Sequence, residues 1–336
     1  MQYELRQQVI EPRRATFDSL VARYGGRPAT RYEEGSVDIQ PRENFHYRPL
    51  WDPDHEIYDE TYSALRLTDP YSFTDPRQFY YAPYVINRAA AHKAFGETLD
   101  YLDQRDLLGR LPSGWKALIA ETIVPLRHYE SGAQLISVNG ARFAYGTTVS
   151  QCLAYAAFDR IGTAQQLSRV GLALGGATDT LLAPAKRAWL EDEDLQGLRR
   201  IVEELLIESD WGVAFFALDL VDQSLYPLLG RFLDDSALLG GAGAYSLIAQ
   251  HLSTWFADQR RWVDALYKSW LTDPEHGTTN RAALSAAAKR WLPQAVAAVN
   301  GLAAAIDKRV EAGATAAAAS AGRALTQRLH DEGIEA

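Results

Sequence analysis

Residues 147–172, TTVSQCLAYAAFDRIGTAQQLSRVGL, restrict the fold more than any other stretch of this chain. Val149, Cys152, Leu153, Ala156, Ala157, Ala164, Leu167 and Val170 recur at spacings of three and four, which places an apolar stripe on one face of a long core helix. Asp159-Arg160-Ile161-Gly162 lies in its middle. A second helix of the same kind is expected over residues 251–270, HLSTWFADQRRWVDALYKSW, with Asp258-Gln259-Arg260-Arg261 at its centre.

Two core helices with a carboxylate at mid-length match a general scheme. In di-iron carboxylate bundles, each of two helices supplies Glu-x-x-His, and the i, i+3 spacing points carboxylate and imidazole at one metal. Here the matching positions read Asp159-x-x-Gly162 and Asp258-x-x-Arg261. The expectation is the frame of a di-iron bundle whose metal site has been replaced, with degenerate ligand positions at Asp159, Gly162, Asp258 and Arg261. A carboxylate inside a bundle is costly unless paired. Arginines are therefore expected to neutralise Asp159 and Asp258, with Arg261 the favoured partner for one of them; the alternative puts Arg260 and Arg261 on the solvent face.

The N-terminal quarter is of another kind. Eight prolines (Pro12, Pro28, Pro41, Pro49, Pro53, Pro70, Pro76 and Pro83) fall within residues 1–85 and work against long helices. Residues 45–84 also carry eleven aromatic side chains, too many to stay in water and too many for an arm to bury by itself. An extended arm over residues 1–84 is expected, either wrapped on its own bundle or laid across a partner subunit. The partner reading is preferred, with Phe45, His46, Tyr47, Arg48, Trp51, Phe79, Tyr80 and Tyr81 as interface candidates.

From Pro83 onward the pattern is helical. Helices are expected over residues 85–107, over 113–129 with a kink at Pro125 and a continuation past Gly132 to about 138, over 147–172 with Thr147 or Thr148 as N-cap, and over 183–190. A long helix over 196–229 should bend near 209–212. After the second core helix, Ala-rich segments over 281–308 and 314–332 are expected at the periphery, with Pro293 a break. The class is all-α: an arm over 1–84, a helical domain over 85–310 and an Ala-rich tail over 311–336.

Sites for chemistry are scarce. Of the seven histidines, only His46 has a glutamate three residues before it, in Glu43-Asn44-Phe45-His46, and no second Glu-x-x-His completes a pair. Cys152 reads as a small core residue. Residues 171–176, GLALGG, lack the features of a phosphate-cradling loop and read as a helix stop. Glu191-Asp192-Glu193-Asp194 reads as a helix start, where acidic side chains favour the helix dipole.

Charge narrows the partners. With 34 basic and 43 acidic residues, a formal net charge of −9 argues against nucleic acid or an anionic membrane. The first residues, MQYELRQQVIEPRRATF, hold no apolar signal core, and no later run looks like the ~18 apolar residues of a spanning helix. The single cysteine suits a reducing compartment, so the cytoplasm is the expected location.

Several motifs carry a family resemblance. Arg31-Tyr32-Glu33-Glu34, Asn44-Phe45-His46-Tyr47-Arg48-Pro49-Leu50-Trp51-Asp52-Pro53 and Thr74-Asp75-Pro76-Arg77-Gln78-Phe79-Tyr80-Tyr81 resemble the β subunit of bacterial multicomponent phenol hydroxylase. Pro125-Leu126-Arg127-His128, Thr148-Val149-Ser150-Gln151, Asp159-Arg160 and Asp210-Trp211 continue the likeness, which covers about residues 10–300. Related β subunits occur in toluene, alkene and methane monooxygenases.

The resemblance implies a ferritin-like bundle, akin to the ribonucleotide reductase small subunit, without iron ligands and with no cofactor or catalytic residue of its own. It implies an α2β2γ2 hydroxylase in which a catalytic α subunit holds the di-iron centre, beside a small γ subunit. A regulatory protein and a reductase carrying FAD and [2Fe-2S] would complete the system. The β chain's role would be structural, with phenol-like substrates favoured over toluene-like aromatics and alkenes. The rival readings are a self-sufficient di-iron enzyme and a helical interaction protein outside any oxygenase.

Overall fold

Proline placement sets where helices begin. In the computed structural model, which describes residues 18–37, 39–40 and 53–336, the described residues before 81 hold two short helices, α1 (Asp18–Tyr24) and α2 (Arg31–Ser36). Thr30 and Glu33 close a capping box on α2: the Glu33 amide donates to Thr30 Oγ1 at 3.2 Å and the Thr30 amide to Glu33 Oε2 at 2.7 Å. Residues 53–80 contain no helix. The first long helix, α3 (Tyr81–Gln104), starts before Pro83 rather than after it, because a proline in the first turn gives up a donor that has no helical partner. The expected arm therefore ends at residue 80, not 84.

Next come α4 (Ser113–Leu118), a π turn (Ile119–Ile123), a 3-10 turn (Val124–Leu126) and α5 (Arg127–Phe143), a continuous run loosened around Pro125 as expected. In α6 (Thr147–Leu174) the expected threonine cap is absent. The cap position is Gly146, at φ +110° and with the Pro70 carbonyl oxygen 2.2 Å from where a Cβ would sit, so only glycine fits. The two hydroxyls act elsewhere: Thr147 Oγ1 accepts from the Ile39 amide at 3.2 Å and Thr148 Oγ1 donates to the Ser36 carbonyl at 3.2 Å.

The helices α7 (Leu182–Glu191) and α8 (Glu193–Leu206) meet at Asp192, the N-cap of α8, which accounts for the acidic run. The expected long helix over 196–229 is two helices, because Asp210 caps a new start at α9 (Trp211–Pro227), accepting from the amides of Gly212 (2.8 Å) and Val213 (3.2 Å). A π turn (Leu228–Phe232) leads into α10 (Leu233–Leu239), followed by α11 (Gly243–Leu271), α12 (Gly277–Val310) and α13 (Ala314–Asp331). The stretch Trp211–Leu239 is long and apolar enough to span a membrane, but 83% of its apolar window is buried inside the fold, so its hydrophobicity serves the core.

The expectation for the Ala-rich region is corrected. α12 runs through Pro293 without a break and is a core helix packed on α8 and α9, with Trp291, Leu302 and Ile306 fully buried. Small side chains here allow close approach: a Cβ on Gly197 of α8 would lie 3.0 Å from the Ala298 Cα of α12.

The bundle that positions the site consists of α5, α6, α9 and α11. α5 packs along α6 and against α9, α11 touches both α6 and α9, and α3 lies over α6 and α11. Residues 53–80 are wound onto this bundle. Tyr62 stacks on Phe143 with centroids 4.9 Å apart, Ser63 Oγ and the Ala64 amide each donate to the Asp210 carboxylate at 2.7 Å, and Asn280 both accepts from the Arg66 amide and donates to its carbonyl. This described part of the arm packs on its own chain. Phe45, His46, Tyr47, Arg48 and Trp51 lie outside the described residues.

Candidate functional site

At the centre of the bundle four helices each deliver a polar side chain. Glu130 comes from α5, Arg160 from α6, Asp222 from α9 and Gln259 from α11, and all four are buried. Arg160 is 1% exposed. Its Nη1 lies 3.1 Å from Glu130 Oε2 and its Nη2 binds Asp222 Oδ2. The Tyr129 hydroxyl donates to Asp222 Oδ1 at 2.6 Å, the Tyr226 hydroxyl donates to Glu130 Oε1, and Gln259 Nε2 reaches Asp222 Oδ2 at 3.5 Å. Aromatic faces complete the enclosure, with the Arg160 Cζ 4.9 Å from the Trp255 centroid and 5.8 Å from that of Tyr226. Burial pushes the Glu130 and Asp222 carboxyls up, against the lowering pull of Arg160.

The inward register corrects the sequence-based one. Adjacent residues on a helix point about 100° apart. The residues of α6 and α11 that reach the centre are Arg160 and Gln259, each one position later than Asp159 and Asp258. Asp159 and Asp258 instead face α3, where Arg88 holds both: Nη2 lies 2.7 Å from Asp159 Oδ2 and 2.6 Å from Asp258 Oδ2. Tyr84 donates to Asp159 at 2.7 Å. Arg77 adds a contact to Asp258 at 3.2 Å and pairs with buried Asp75 at 2.9 Å. Both aspartates are thus neutralised by arginines, as expected, but Arg261 is a minor partner, exposed and 3.9 Å from Asp258. The solvent-face alternative holds for Arg261 and fails for Arg260, which is largely buried against Asp219. Gly162 meets the ring of His92, whose atoms would lie 2.9 Å from an added Cβ.

The remaining candidates separate in the same way. Phe79 is buried against Tyr84 and Tyr155 of its own chain. Tyr80 is half-buried, whereas Tyr81 is 71% exposed on the first turn of α3. Cys152 is buried, and burial together with Asp75 pushes its thiol well up, which suits a packing role. Sequence reasoning missed Arg77, Arg88, Glu130, Asp222 and Tyr226. Arg77 lies in the arm, read for its prolines and aromatics, Arg88 lies on a helix read for its span alone, and single carboxylates such as Glu130 and Asp222 carry no spacing motif.

A cleft of ≈ 630 Å³ opens between α3, α6 and α11, lined in part by His92, Thr98, Asp159, His251, Trp255 and Asp258. Thr98 Oγ1 is 2.8 Å from His251 Nε2, and burial pulls the His251 imidazole down. A di-iron site needs about four carboxylates and two imidazoles converging on one point. The bundle centre offers two carboxylates, an amide and a guanidinium, and the residues present do not fit such a site. Among the described residues, no group of three His, Cys, Asp or Glu side chains is placed to hold a metal ion.

The family model described as Methane/Phenol/Alkene Hydroxylase matches residues 51–274. The oxygenase component DmpL of phenol 2-monooxygenase from Pseudomonas sp. strain CF600 is 40% identical over 296 residues, 88% of either chain. The β subunit of the hydroxylase component of the toluene-4-monooxygenase system from Ectopseudomonas mendocina is 25% identical, covering 69% of this chain and 71% of its own. Among solved structures, xenon-pressurised phenol hydroxylase from Pseudomonas sp. OX1 superposes with a TM-score of 0.90 at 35% identity over 99% of both chains.

Proposed function

Since the chain belongs to the methane/phenol/alkene hydroxylase family, we propose that it is the non-catalytic β subunit of the oxygenase component of a multicomponent monooxygenase, supporting an α subunit that hydroxylates phenol or a related aromatic with O2 and electrons from NAD(P)H. The observation that carries the non-catalytic role is the bundle centre, where Arg160 and Gln259 stand on the two helices that would supply Glu-x-x-His. The preference for phenol over toluene follows the order of similarity, 40% against 25% identity.

In this reading the di-iron centre belongs to the α subunit, a small γ subunit completes an α2β2γ2 assembly, and a regulatory protein and a reductase with FAD and [2Fe-2S] serve it in the cytoplasm. The chain binds no cofactor, and neither nucleic acid nor a membrane is a partner. Exposed apolar side chains support a subunit role. Tyr81, Val85 and Ile86 of α3 and Phe158 and Ile161 of α6 are exposed on two helices that touch, and exposed apolar surface of this type marks interaction sites.

The test is iron content. The chain is co-expressed with its catalytic partner, the two are separated, and metal is measured on each. Iron confined to the partner is the expected result; about two irons on this chain, the content of a di-iron bundle, would overturn the reading.

A further inference from the structure

We propose that the Arg160 guanidinium is the resident cation of this bundle, standing at the convergence point of α5, α6, α9 and α11, and that its removal exposes a site selective for small planar cations of the guanidinium class. The inference rests on the non-catalytic reading above and specifies what has replaced the metal in it.

Charge and geometry carry the argument. Two carboxylates, Glu130 of α5 and Asp222 of the neighbouring α9, approach one guanidinium, so the centre holds more negative than positive formal charge. Such carboxylates would be very costly in an apolar interior without a cation between them. The fork of Arg160 suits this place: Nη1 is shared between Glu130 and the Tyr226 hydroxyl at 3.3 Å, while Nη2 goes to Asp222. Trp255, Tyr226 and Tyr129 present ring faces to its carbon, an arrangement that favours a flat, weakly hydrated cation. Gln259 is 2% exposed, and its Oε1 accepts no hydrogen bond. An unused acceptor therefore borders the same centre. Asp219 does not compete for Arg160, because Arg260, Gln223 and Tyr267 satisfy it from the other side.

The experiment uses the full chain with Arg160→Gly and Arg160→Met. Arg160→Gly should lower Tm by about 5 °C, the scale for breaking a buried ion pair in a chain of this size. Millimolar guanidinium or methylguanidinium, far below denaturing concentrations, should restore part of that loss saturably, whereas methylammonium should restore less and the wild type should not respond. The charge-free combination Arg160→Met, Glu130→Gln, Asp222→Asn should be more stable than Arg160→Met alone and insensitive to guanidinium. If Arg160→Gly fails to fold, the comparison of Arg160→Met with the triple variant decides the question. A folded Arg160→Gly chain that ignores guanidinium, or a triple variant no more stable than Arg160→Met, would overturn the proposal. None of these readouts depends on iron, so failure here leaves the subunit assignment standing, and iron on the wild-type chain would defeat that assignment separately.

Discussion

Arg88 holds Asp159 and Asp258 together from a third helix, and its loss would leave two partly buried carboxylates without their main counter-ion. Arg88→Ala should therefore cost about 3 kcal/mol, while Arg261→Ala, on an exposed side chain 3.9 Å from Asp258, should stay within about 0.5 kcal/mol. Denaturant midpoints of the two variants measure the difference, and equal costs would contradict the assignment. The sequence made the aspartates visible but not their partner, because Arg88 lies some seventy positions before Asp159 and no spacing rule links them. Nor could periodicity choose between Asp159 and Arg160 as the inward residue: both are charged, and both end up buried on different faces of one helix. His128 gives a second residue-scale prediction. Burial, with Arg127 and Lys186 nearby, pushes its imidazole down from 6.5 to about 4. The unfolded chain then binds the proton more readily, so this contribution to stability is complete above pH 6.5 and is lost as pH falls from 6.5 towards 4. The wild type should lose several degrees of Tm over that window relative to His128→Gln; parallel curves would refute it.

Helix contacts show why an element can be legible while its role is not. Gly132 reads as an interruption in α5, yet the helix passes through it, because Val202 of α8 packs where a side chain would be, with Cγ1 2.1 Å from the position of an added Cβ. Gly132→Ala should destabilise the chain by about 1–3 kcal/mol through overpacking. Val202→Ala in the same chain should relieve part of that cost, giving a non-additive double-mutant cycle. Additive costs in chemical denaturation would show that the contact is not the cause. α12 teaches the same lesson: alanine-rich helices look peripheral when hydrophobicity is summed along one strip of sequence. Their value here is steric, since α8 and α9 can approach α12 closely only where its side chains are small. Periodicity located most of the helices, but which of them touch is a tertiary property that one-dimensional spacing does not carry.

For the whole molecule, the decisive division is between what the chain buries for itself and what it leaves for a neighbour. The aromatic N-terminal segment looked like a surface for a partner, but its described rings are largely occupied at home: Tyr62, Tyr71, Phe73 and Phe79 are all buried. Composition could tell that these rings need cover, but not whose surface provides it. Apolar side chains left uncovered include those on α3 and α6, with Ile86 70% and Phe158 53% exposed. Introducing charge there should separate folding from assembly. Ile86→Asp with Phe158→Asp removes little buried packing, so Tm of the isolated chain should move by no more than a few degrees. If the patch seats another subunit of the oxygenase, burying two carboxylates against it should weaken that association at least about tenfold, or 1.4 kcal/mol. Co-purification with the catalytic subunit, titrated by pull-down, gives the readout. An unchanged interaction with normal Tm would place the subunit contact on another face, whereas a large drop in Tm would show that these side chains serve the chain's own core.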